Sequence, residues 1–152
     1  MKILYKIKWW FIDIKLFIKS KYQKLIYGFE FRDCWDLRHS HAKWILPRLK
    51  YLRNNFNGTP HKEGGDDFQF YSVSEWKDIL DKIIFAFDFV LKEDDYLTAC
   101  YPKDFNYNIG YVGGKSVFKD NRKPDYKLYN IACEKQQEGL ILFAKHYDAL
   151  WS

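Results

Sequence analysis

Ser72-Val73-Ser74-Glu75 is followed by Trp76, Leu80, Ile83, Phe87 and Val90 at strict helical spacing. The four residues form a capping box. The Ser72 hydroxyl can accept from the Glu75 amide while the Glu75 side chain reaches back to the Ser72 amide, so two otherwise unpaired donors are satisfied together. The spacing predicts a helix that begins after Ser72, ends near Lys92 and buries one stripe. Ile79 and Ile84 widen the stripe. Phe85 falls on the opposite side and calls for a second buried face.

Other helices are available to cover these faces. Over residues 3–26, Ile7, Phe11, Ile14, Ile18 and Leu25 recur at steps of three and four, flanked by Lys6, Lys8, Lys15, Lys19 and Lys24. Trp9, Ile12 and Leu16 lie on the far side, so this helix is apolar on two faces. Packing within the chain or in a dimer is favoured over an interfacial helix on a membrane, so contact of residues 1–20 with a membrane surface is kept as the lesser reading. Lysines and Asp13 interrupt the apolar run, which argues against both a spanning helix and a signal sequence.

A helix is also expected from about Asp36 to Asn55, capped by Asp33 or Asp36, with Ile45, Leu49, Leu52 and Phe56 inward and a kink at Pro47. Asn57-Gly58-Thr59-Pro60 ends it, and Gly64-Gly65-Asp66-Asp67 continues a loop. Pro124 is placed to open a last helix, about 125–150, at its first position. Gly139 in the middle of that helix costs about 1 kcal/mol relative to Ala and implies close approach to a neighbouring backbone. Between these helices, Phe105, Tyr107, Ile109 and Tyr111 alternate. Gly113-Gly114 offers a turn, and Val117-Phe118 can return as a second strand.

The fold expected is mostly α: a compact bundle of about four helices with a short hairpin or irregular insertion near residues 95–123. A single domain over 1–152 is expected, with 1–27 an N-terminal amphipathic helix, 28–92 and 124–152 the helical core and 93–123 the insertion. One residue in five is aromatic, more than a core of this size needs, which points to a sticky surface and to a homo-oligomer. The net charge of +5 is a mild bias, short of the dense basic patch of a duplex-DNA binder. Cys34, Cys100 and Cys133 are odd in number and far apart, which reads as reduced thiols of a cytosolic protein.

The second helix carries the candidate ligand-binding residues. His41, Trp44, Arg48 and Tyr51 align beside its core stripe, with Lys50 and Arg53 adding positive charge together with Lys43. Arginine can grip a phosphate bidentately and aromatic rings can stack a base, which is the chemistry a nucleotide site needs. The bland and favoured alternative makes Trp44 and Tyr51 core residues of a helix whose Arg and Lys are merely solvated. His39-Ser40-His41 is a poor metal site because helix positions two apart diverge. Asp33 with Asp36, and Asp66 with Asp67, are more cheaply explained as caps and loop residues than as an acid–base pair. Gly113-Gly114-Lys115-Ser116 lacks the spacing of a phosphate loop. No catalytic residue, metal site or cofactor is assigned, and an enzyme is the least favoured class.

Three segments together resemble a pattern found in a family of small proteins of tailed bacteriophages. They are Trp35-x-Leu37 with Ala42-Lys43-Trp44-Ile45-Leu46-Pro47-Arg48-Leu49-Lys50, then Asn57-Gly58-x-Pro60 with Glu75-Trp76-x-x-Ile79-Leu80-Asp81-Lys82-Ile83-Ile84-x-Ala86-Phe87, and the ending Glu138-Gly139-Leu140-x-Leu142-Phe143-Ala144-Lys145-x-Tyr147-x-x-Leu150-Trp151. The match covers roughly residues 28–92 and 134–151, and residues 99–123 look like an insertion relative to shorter members. The resemblance implies a phage gene product in the host bacterial cytoplasm and transfers no functional residue. With the aromatic richness and mild positive charge, it leads to a non-enzymatic protein that counters bacterial defence by sequestering a phosphate-bearing signal such as a cyclic nucleotide. The alternative is a structural or interaction component that docks on a host or virion protein through the aromatic N-terminal helix.

Overall fold

The computed structural model describes residues 2–62, 69–112, 115–118, 120 and 122–151. The protein is mostly α, with helices α1 (Lys2–Tyr27), α2 (Leu37–Asn55), α3 (Val73–Ala99) and α4 (Lys127–Lys145), and a hairpin of β1 (Ile109–Val112) and β2 (Lys115–Phe118). Short 3-10 helices occupy Phe31–Cys34 and Tyr147–Trp151. The chain divides into two compact units, residues 1–41 and 42–152, with the boundary inside α2.

In the N-terminal unit, a capping box opens the Phe31–Cys34 turn, in which the Glu30 amide donates to the Asp33 carboxylate. Asp36 rather than Asp33 caps α2, accepting from the His39 amide at 3.2 Å. The turn folds back on α1. Ser20 Oγ donates to Glu30 Oε1, the Phe31 amide donates to Gln23 Oε1 at 3.2 Å, and Lys24 Nζ lies 2.8 Å from Glu30. Gln23 is buried by this arrangement.

In the second unit, α2 contributes Ala42, Ile45, Leu46 and Leu49 to a core shared with Ile83, Phe87 and Val90 of α3. Leu142 and Phe143 of α4 and Leu150 beyond it pack against that core. Leu52 and Phe56, expected inside, are only half-buried, while Leu46 and Ala42 take their places. The α2 helix runs through Pro47. The capping box of α3 forms as expected: the Glu75 amide donates to Ser72 Oγ at 3.2 Å, and the Ser72 amide to Glu75 Oε2 at 2.7 Å.

Three boundaries differ from the sequence reading. α3 continues seven residues past Lys92, because Lys92 pairs with Asp88 at 2.6 Å and the Tyr96 ring packs on Phe89 at 5.0 Å. The segment between α3 and α4 therefore starts after Ala99 rather than at residue 93. Pro124 does not open α4. The Asp125 amide donates to the Cys100 carbonyl at 2.8 Å, and the Asp125 carboxylate accepts from the Lys127 amide, so α4 starts at Lys127. At its other end α4 stops at Lys145, with His146 leaving helical geometry, instead of continuing to Leu150.

The hairpin pairs Ile109 with Phe118 and Val112 with Lys115 in antiparallel register. The Gly113-Gly114 turn and the Gly64–Asp67 loop lie outside the described residues. On either side of the latter, His61 and Phe70 form an antiparallel bridge that the sequence did not suggest. Phe105 is buried, with Tyr101, Tyr107 and Phe118 within 4.6–5.6 Å ring contact of it.

Candidate functional site

The six candidate residues on α2 separate into groups. At 100° per residue, Trp44, Arg48 and Tyr51 share one side of the helix and Lys50 and Arg53 the other. The structure shows what each side does. Arg48 sits over the Trp44 ring, its guanidinium carbon 4.1 Å from the ring centroid, and Arg48 Nη1 donates to the Trp44 carbonyl. The pair is a cation–π contact in which the indole orients the arginine. Trp44 is 49% exposed and Tyr51 71% exposed, so neither is a core residue. The expectation that aromatics beside a core stripe belong to the core fails here, because Ala42, Ile45, Leu46 and Leu49 already fill the buried side of α2.

Lys50 and Arg53 turn toward α3 instead. Arg53 makes a two-pronged bond to Asp81, Nε at 2.9 Å and Nη2 at 2.8 Å. The guanidinium holds the Asp81 carboxyl below the usual range, and the carboxylate raises Arg53. Lys50 Nζ is 3.8 Å from Asp88, which also pairs with Lys92. These two cations clasp α2 to α3, which leaves Arg48 as the charged member of the open ridge. His41 is exposed and belongs to the N-terminal unit.

Clefts lie elsewhere among the described residues. One of about 370 Å³ in the N-terminal unit is lined by Leu16, Gln23, Phe31, Arg32 and Trp35 among others. Another, about 340 Å³, opens between the end of α3 and the start of α4, where Phe85, Tyr96, Cys100, Leu128, Ile131 and Lys135 form its walls. Phe85, which pattern alone left without a partner, is half-buried here. Beside it, Tyr129 Oη donates to Glu93 at 2.8 Å, and the acceptor carboxylate pushes the phenol pKa up. None of the six α2 residues lines either cleft.

Among the described residues, no three His, Cys, Asp or Glu side chains gather where they could hold a metal ion. Among them, too, no helix is long and apolar enough to cross a membrane. What sequence reasoning missed is the partners of the cations. Asp81 and Asp88 stand seven apart on α3, two turns of one face, and could have been matched to the basic side of α2.

No family model, curated protein or solved structure matches the chain.

Proposed function

We propose that the protein is a non-enzymatic, phage-encoded binding protein that captures a nucleotide-derived, phosphate-bearing signal of bacterial defence. The observation that supports this reading is the exposed Trp44–Arg48 stack. An arginine held over an indole is pre-oriented, so less freedom is lost when its remaining N–H groups take a phosphate. Tyr51, one turn further along α2, offers a second exposed ring for stacking a base. Arg53 and Lys50 act in holding α2 on α3, which narrows the proposed contact set to Trp44, Arg48 and Tyr51.

Titration calorimetry and thermal shift against cyclic mono-, di- and oligonucleotides test the proposal. A ligand should bind, return chemically unchanged after the complex is denatured, and lose affinity in Arg48→Ala and Trp44→Ala. Folded protein that responds to no member of the panel would sink it.

A second reading, a component that docks on a host or virion protein through its N-terminal helix, is favoured by the exposed Trp10, Phe11, Ile18 and Leu25 of α1. Deleting residues 1–20 should then abolish capture of the partner while residues 42–152 stay folded.

A further inference from the structure

The turn after α1 bonds to that helix along Ser20, Gln23 and Lys24, and the side opposite these residues stays exposed. Ser20 and Gln23, which bond to Glu30 and Phe31, point to the rear. Opposite them, Trp10, Phe11, Ile18, Tyr22 and Leu25 fall within an arc of about 120° at 100° per residue. They are 59–83% exposed. Lys15 and Lys19 border this arc on one side, while Lys24, on the other, is paired with Glu30. Lys21 lies within the arc and reaches over the Phe17 ring, its Nζ 5.3 Å from the centroid. Over its whole length α1 carries seven lysines against one acidic residue, Asp13.

We infer that this face of α1 lies on an anionic lipid bilayer, parallel to the surface. An exposed apolar arc bordered by lysines is the pattern of an interfacial helix. Its rings and aliphatic side chains enter the boundary between headgroups and acyl chains, while the long lysine stems carry their charges up to the headgroups. Trp10 and Tyr22 suit that boundary, where one end of the side chain is apolar and the other wet. Charge selects the occupant. Two copies of so cationic a helix repel each other, whereas acidic headgroups attract every lysine near the surface. The inference goes beyond nucleotide capture and is independent of Trp44 and Arg48.

Vesicle flotation with the full chain tests it, comparing phosphatidylcholine containing phosphatidylglycerol with phosphatidylcholine alone. The protein should float with the anionic vesicles, with a blue shift of tryptophan emission, and be released by high salt. Phe11→Glu with Ile18→Glu should weaken binding by about tenfold or more, since each removes an inserted apolar side chain. Both positions are exposed, so circular dichroism should show the double variant still folded. Trp44→Ala should float as the parent does. Three results would overturn the proposal: no flotation of folded protein, equal flotation with both lipids, or unchanged flotation of the double variant. Concentration-dependent self-association that the double variant abolishes, without flotation, would assign the face to a second copy. Capture of a protein in place of lipid would assign it to the docking reading.

Discussion

A Cβ placed on Gly139 of α4 would sit 2.3 Å from the carbonyl oxygen of Lys82 on α3 and 2.7 Å from the Ala86 Cβ. The first obstacle is backbone and cannot swing aside. Glycine is therefore required where the two helices touch. Gly139→Ala gains about 1 kcal/mol of helix propensity but must force the pair apart, and overpacking of this kind costs about 1–3 kcal/mol. Denaturant titration should show a net loss of stability, with Gly139→Val worse still.

Glu75 makes the start of α3 sensitive to acid. Lys62 at 2.7 Å and the hydrogen bonds from Ser72 lower its pKa from 4.5 to about 2. A carboxylate whose folded pKa is depressed adds stability that is complete above the unfolded value near 4.5 and is lost as pH falls toward 2. Glu75→Gln should flatten the stability profile in that window. Equal acid sensitivity in parent and variant would show that other carboxylates dominate it.

Arg48 and Arg53 lie five residues apart on α2 and should respond oppositely to mutation. Arg53→Ala removes a surface clasp, so a double-mutant cycle with Asp81→Ala should give a small coupling that fades with salt. It should leave nucleotide affinity unchanged, whereas Arg48→Ala should abolish affinity with little effect on stability. If Arg53→Ala also removes binding, the contact set extends across both sides of α2.

Trp76 is 1% exposed, with the Tyr71 and His146 rings at 6.2 and 5.5 Å. Trp76→Ala should cost about 3–5 kcal/mol, the range for removing a buried aromatic side chain. Trp76→Phe should cost less, because most of the ring contact survives. Thermal melts of both variants order the two losses.

Signals that act over one or two turns were legible in the sequence. Ser72 and Glu75 announced the start of α3, and Gly139 announced the helix contact that Lys82 supplies. The alternation through Ile109 and the return at Val117-Phe118 marked the hairpin. The far end of α3 was missed because the apolar stripe stops at Val90, while the last turns rest on Tyr96 meeting Phe89 across two turns. Pro124 misled because the Asp125 amide is tied to the Cys100 carbonyl, a bond between residues 25 apart in sequence. The side of α2 that carries Trp44 and Tyr51 could not be assigned from periodicity. An aromatic next to a core stripe is buried or exposed according to how much of the stripe the neighbours cover, and here four smaller residues suffice.

The three thiols differ in access: Cys34 is exposed, Cys133 intermediate and Cys100 buried. Cys34 sits in the turn held behind α1, on the native sequence, so a maleimide nitroxide can be attached there without engineering. It is a built-in compass for the N-terminal unit. With the Trp10–Leu25 arc laid on vesicles, the spin label should stay open to a water-borne paramagnetic relaxant and closed to oxygen dissolved in the acyl chains. A helix lying the other way up would exchange the two readings.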